Sequence, residues 1–136
     1  MLDYKETKLV NKVLKSRNLS QFVGKNSKRF YGGKYVRSFE KKLQNFFNVK
    51  HAIVVNSWTS GLICCVGALG IKPGDEVIVT PWTMSATVMS ILHWNAIPVF
   101  VDIERDSFNI DIKKIEKKIN QKTKLIIFAD IFGNPA

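Results

Sequence analysis

With 136 residues, 46% of them hydrophobic and 24% charged, the chain has material for one ordinary domain with a real core, which excludes a disordered or fibrous protein. The formal net charge of +10 is confined to the N-terminal part: residues 1–50 carry 13 Lys or Arg against 3 Asp or Glu, whereas residues 51–136 carry 8 of each. A solvated face or a subunit contact explains such a segment before nucleic acid or an anionic lipid surface does, because no recognition helix or aromatic RNA platform accompanies it.

Met1 to Tyr4 leads straight into charged residues, without the apolar core of a signal peptide, and no apolar stretch is long enough to span a bilayer. A soluble, cytoplasmic protein is expected, with no membrane and no nucleic-acid partner. Residues 3–16 form the first predicted helix, with Leu9, Val10, Val13 and Leu14 in one stripe and Lys5, Lys8, Lys12 and Lys15 around it. From Asn18 to Gly33 the pattern dissolves into Asn, Ser, Gly and basic residues anchored by Phe22, Phe30 and Tyr31, which predicts a long loop. Helical spacing returns with Val36, Phe39, Leu43, Phe46 and Phe47, so Lys34 to Phe47 is the second predicted helix.

After Asn48 short β-branched runs alternate with helical patterns. Strands are predicted at Ala52–Val55, Glu76–Thr80, Ile97–Asp102 and Lys124–Ala129, and helices at Thr59–Leu69, Met84–Trp94 and Ile110–Ile119. The division is therefore an N-terminal helical segment with a basic loop over residues 1–50 and a βαβαβαβ unit over 51–136. Near-continuous apolar strands joined by helical crossovers predict the α/β class: three layers, a mostly parallel sheet with helices on both faces. Cys64 and Cys65, adjacent on a predicted helix, cannot bridge one another and imply a reducing compartment. His51 and His93 lack companions at metal-ligand spacing and read as structural.

The stretch Val54 to Leu62 organises this second part. It reads as strand, turn and helix, with Ser57 or Asn56 as N-cap, so the first turn offers unpaired N–H groups, the Thr59 and Ser60 hydroxyls and the positive helix end to one point suited to a phosphate. It has neither Gly-Lys-Ser/Thr nor Gly-x-Gly-x-x-Gly, and by local spacing alone an ordinary capped helix without ligand is the commoner explanation. Ligands of open parallel sheets gather at the carboxyl ends of the strands. Here those ends are Asn56–Ser60, Pro81–Thr87, Asp102–Glu104 and Asp130–Asn134. They combine anion donors, the apolar surfaces of Trp82 and Met84, and carboxylates; taken singly, Trp82 and Met84 also read as core and Asp102 and Asp130 as turn caps.

Taken together, Ser38-Phe39-Glu40, the run His51–Ser57, Ala68–Val79, Pro81–Thr87, Asn95–Ile103, Thr123–Ile127 and Phe132–Ala136 resemble the amino-terminal part of a DegT/DnrJ/StrS family sugar aminotransferase. The resemblance implies an incomplete large domain of the pyridoxal-phosphate-dependent transferase (aspartate-aminotransferase) fold. It also implies pyridoxal 5'-phosphate as cofactor, a nucleotide-linked keto sugar as substrate in polysaccharide or amino-sugar biosynthesis, glutamate as the usual amino donor, and a homodimer. It places Ser57, Trp58, Thr59 and Ser60 at the cofactor phosphate and Met84 or Trp82 over the pyridine ring. Met84 stands where the family has an aromatic, Trp58 where many relatives have Gly, and Asp130 where a His is common.

In the family the Schiff-base lysine and the carboxylate for the pyridine nitrogen lie beyond Ala136, and Lys72, Lys113, Lys122 and Lys124 read as solvated. No catalytic residue is therefore assigned here. The expectation is a fragment inactive alone and impaired in cofactor binding, with a non-catalytic phosphate-binding or partner-binding remnant as the alternative. The resemblance also implies that Ala52–Val55 lacks both strand neighbours, which would leave the isolated chain marginal or prone to associate.

Overall fold

A computed structural model describes residues 3–19 and 22–136. Ser20 and Gln21, inside the predicted loop, and Met1 and Leu2, inside the N-terminal stretch read for a signal peptide, lie outside the described residues. Two compact units divide the chain, Met1–Val54 and Val55–Ala136.

In the first unit α1 spans Tyr4–Ser16 and α2 spans Lys34–Phe47. Helix α1 begins with a capping box that satisfies two otherwise orphaned amides: Asp3 Oδ1 accepts from the Lys5 N–H at 2.6 Å and Glu6 Oε2 from the Asp3 N–H at 2.9 Å. Helix α2 ends where Asn48 turns left-handed at φ 51°, a conformation its short amide side chain tolerates. Before α2 the chain over residues 22–32 is folded on itself: the Phe22 ring lies over Gly32, whose φ of +82° and lack of Cβ leave room for it. The run predicted as a first strand, Ala52–Val55, has no ladder partner among the described residues and is not a strand. Its Val54 N–H donates instead to Glu40 Oε1 at 3.1 Å, a side-chain substitute for the missing ladder bond.

The second unit holds α3 (Trp58–Ala68), β1 (Glu76–Val79), α4 (Ser85–Leu92), β2 (Ile97–Phe100), α5 (Ile112–Ile115) and β3 (Thr123–Ile127). The strands are parallel in the order β2-β1-β3, with Ile78 opposite Val99 on one side and Ile126 on the other. The sheet thus has three strands rather than the four expected. Alternation along β1 divides the core: Val77 and Val79 pack with Val66 of α3 and Ile91 of α4, while Ile78 packs with Val101, Ile110 and Ile115 on the opposite face. Helices therefore cover both faces, as the apolar strands require.

Helix α5 is shorter than the predicted Ile110–Ile119. Ile110 bridges Ile103, the Asp111 side chain caps at the Lys113 N–H (3.0 Å), and the chain tightens into a 3₁₀ turn at Glu116–Lys118. Helix α4 stops at Leu92 instead of Trp94, since the following turn brings Asn95 to φ 53°. Among the described residues no helix is long and apolar enough to cross a membrane.

Trp94 binds α3 to the end of α4: its Nε1–H donates to the Ile63 carbonyl at 2.9 Å and its indole lies on Gly67. A Cβ at Gly67 would overlap the Trp94 ring, with Cε2 only 2.7 Å away. Gly67→Ala is therefore expected to destabilise by about 1–2 kcal/mol despite the better helix propensity of Ala. Urea unfolding checks this, and Trp94→Leu in the same chain should recover part of the loss.

Candidate functional site

Where Val55 meets α3, Ser57 is extended (φ −156°, ψ 159°) and its Oγ accepts from the Ser60 N–H at 3.1 Å. Of the two N-cap candidates, the structure selects Ser57. Its hydroxyl also donates to Ser60 Oγ at 3.0 Å, drawing the two side chains together. The Gly61 N–H is taken by the Ser57 carbonyl at 3.1 Å. The Trp58 and Thr59 amides, first and second of the helix, have no acceptor among the described hydrogen bonds, which is the arrangement that receives an anion.

Beside this helix start lies a cavity of about 410 Å³, within the roughly 300–1,000 Å³ of small-molecule sites. Its walls are Trp58 and Leu62 of α3, Thr87 of α4, and the run Ile127, Phe128, Ala129 and Asp130 at the carboxyl end of β3. A larger hollow of about 730 Å³ is bounded only by one flank of α1, from Tyr4 to Lys15, and lacks convergent groups.

The other expected residues stand elsewhere. Trp82 rests on Phe108 with ring centroids 6.1 Å apart at 34°, and Met84 is the exposed N-cap of α4, with no side-chain capping bond. Neither is among the cavity walls. Of the carboxylates read as turn caps, Asp102 accepts from the Ile103 N–H at 2.9 Å, whereas Asp130 makes no side-chain bond to the turn it begins and accepts instead from the Ala136 N–H at 3.0 Å. Asp130 nevertheless also lines the cavity. Thr87 joins the wall through α4, its hydroxyl 2.9 Å from that of Thr83. No lysine lines the cavity; Lys72, Lys113, Lys122 and Lys124 are exposed.

One residue with no distinguishing local pattern fixes the turn that follows Asp130. The nearly buried Asn109 donates from Nδ2 to the carbonyls of Asn134 (3.1 Å) and Pro135 (3.0 Å) and accepts from the Ile131 N–H at 3.3 Å. Such a bond set is visible only when residues more than twenty positions apart are folded together. Asn109→Leu, similar in size, leaves the Ile131 amide without its acceptor and should cost about 1–3 kcal/mol. Faster hydrogen exchange at Ile131 checks that the loss is local.

Beyond the cavity, Lys114 Nζ reaches Asp102 at 3.1 Å and Asp111 at 3.4 Å. The hydrogen bond from Lys114, followed by that from the Ile103 N–H and the lysine's charge, holds the Asp102 carboxyl below its usual range, while the Asp102 hydrogen bond raises Lys114. The Asp102 contribution is thus present above the ordinary carboxylate range and fades as pH falls through its lowered value. Lys114 has the opposite sense, its contribution fading as pH rises through its raised value. Lys114→Met should return Asp102 toward the usual carboxylate value, measured by NMR titration of its side chain; both groups are exposed, so the melting temperature should barely move.

The model of the DegT/DnrJ/EryC1/StrS aminotransferase family matches residues 5–136. The chain is 44% identical over 95 residues to the spore coat polysaccharide biosynthesis protein SpsC of Bacillus subtilis, covering 70% of this chain and 24% of that protein. It is 42% identical over 101 residues to the GDP-perosamine synthase of Vibrio cholerae, covering 74% of this chain and 28% of that one. Among solved structures, the aminotransferase from Psychrobacter cryohalolentis superposes with a TM-score of 0.84 at 31% identity, over 99% of this chain and 32% of that one. The ntda protein of Bacillus subtilis, solved with bound cofactor PMP, gives 0.83 at 29% identity, over 99% and 29%. The chain thus spans about a quarter to a third of the length of these relatives, and its fold is part of the pyridoxal-phosphate-dependent aminotransferase fold.

Proposed function

The chain belongs to the DegT/DnrJ/EryC1/StrS aminotransferase family, and from that premise we propose that it forms the phosphate-gripping part of a pyridoxal-phosphate-dependent aminotransferase acting on a nucleotide-linked keto sugar. The observation that carries this reading is the start of α3. Ser57 holds the first turn open, the Trp58 and Thr59 amides stand free among the described hydrogen bonds, and the Thr59 and Ser60 hydroxyls lie in the same turn. These groups are donors without a cation among them, the set that suits a phosphate ester at a helix N-terminus.

When bound, the cofactor supplies a ring that withdraws electrons from the substrate carbon. The contribution of these residues is binding and orientation. The Trp58 and Thr59 amides would hold the phosphate, Ser57 orders the turn that carries them, and Leu62 and Phe128 would offer the ring apolar surface. The residues lining the cavity include no lysine amine, so none of them supplies a Schiff-base nitrogen. The GDP-perosamine synthases and the spore coat polysaccharide protein among the relatives support polysaccharide biosynthesis as the setting. The reading extends to an amino-acid donor, a homodimer and a cytoplasmic location.

Calorimetric titration with pyridoxamine 5'-phosphate, and with pyridoxamine lacking the phosphate, tests the reading. Binding should require the phosphate, be displaced by inorganic phosphate, and weaken about threefold to thirtyfold in the double variant Thr59→Val/Ser60→Ala. Equal binding of the phosphate-free compound, or none of either, would overturn it.

A further inference from the structure

We propose that Pro98 closes the outer edge of β2 to strand addition: it removes a backbone donor through which another strand would pair there, and so keeps this apolar edge from becoming a contact between chains. The inference is independent of the phosphate reading. Among the described residues β2 pairs with β1 alone, in parallel, with Pro98 opposite Val77 and Phe100 opposite Val79. The Ile97 N–H donates to the Asp75 carbonyl at 2.8 Å and the Val101 N–H to the Val79 carbonyl at 2.9 Å. Amides alternate in direction along a strand, so positions 97, 99 and 101 face β1 while 98 and 100 face away from it. Of the two outward positions, Phe100 has an N–H with no acceptor among the described hydrogen bonds outside the ladder, and Pro98 has no N–H to offer.

Without that proline the edge is of the kind that recruits a further strand. Residues 96–101 read Ala-Ile-Pro-Val-Phe-Val, an apolar run rich in strand formers and without a charge. Ile97 and Phe100 are 48% and 46% exposed, so apolar surface accompanies the unpaired backbone. Beyond the short length of β2, the other devices that blunt an edge are missing from it: it has no charged residue, and its register with β1 runs without a shift. The opposite side of the sheet differs. Strand β3 carries Lys124, and its pairing with β1 is interrupted by a register shift between Glu76 and Val77. Pro98 also costs the fold no ladder bond, because its position faces outward; the same residue at 99 would remove a bond to β1.

Amide hydrogen exchange in the parent chain tests the geometry. Val99 and Val101 should be protected, and Phe100 should exchange about tenfold or more faster than either. Pro98→Ala and Pro98→Val each restore the outward N–H, and sedimentation equilibrium should show both associating about threefold to tenfold more tightly than the parent, the gain expected of one restored backbone bond. Association through other uncovered apolar surface is common to all three chains and cancels in this comparison. The new amide at 98 should be protected in the associated form and exposed at low concentration. Urea midpoints taken at low concentration show that folded chains are compared; a variant that unfolds is replaced by Pro98→Thr, which restores the same donor. Parent-like association in the folded variants overturns the proposal. Association of Pro98→Val alone overturns it too, since added apolar surface rather than the amide would then be the cause, and protection of Phe100 equal to that of Val99 in the parent overturns the open edge itself.

Discussion

The central position of β1 is the constraint on which the second unit depends. A strand hydrogen-bonded on both edges must be apolar where both its faces are covered, and after the partly exposed Glu76 the residues Val77, Ile78 and Val79 are each fully buried. That double burial sets the register of β2 and β3, because a slip of one residue would exchange the Val77 and Val79 face for the Ile78 face. It also sets where α3, α4 and α5 pack, and so which loops meet at the carboxyl edge.

The cavity is a product of that edge rather than of any one segment. Helix α3 contributes an indole and a capped turn with free backbone amides, α4 a threonine, and β3 the run that continues past its last ladder bond. Asn109 then holds the outgoing turn at 131–135 in place with three hydrogen bonds. The division of labour is physical: helix and strand positions are rigid and place the wall, and a buried amide fixes the loop that strands cannot reach. Charge plays a local part, since the Lys114 pairs with Asp102 and Asp111 order the segment after β2 and are too exposed to contribute much stability.

Much apolar surface is left uncovered by these two units. Phe46, Ile53 and Phe132 are each more than four-fifths exposed. For Ile53 the physical reason is the unpaired run Ala52–Val55: β-branched residues that suit a sheet here lie beside no strand, and the Val54 amide turns to a glutamate instead. Strand propensity describes a fit to neighbours, and where neighbours are missing the propensity has nothing to act on.

By itself the amino-acid sequence determined what periodicity and local chemistry can carry. The 3.6-residue spacing placed α2 at its observed ends, the alternation of strand and helix specified a parallel sheet with covered faces, and Ser57 before Thr59 and Ser60 marked a helix start suited to an anion. Tertiary structure alone decided what depends on distant contacts: that Ala52–Val55 is not a strand, and that α5 is cut short by the Ile103–Ile110 bridge. It also decided that Trp58, rather than Trp82 or Met84, stands on the cavity wall. A helix start is written in five or six consecutive residues, but a wall is made of side chains from α3, α4 and β3, and no window along the chain contains them together.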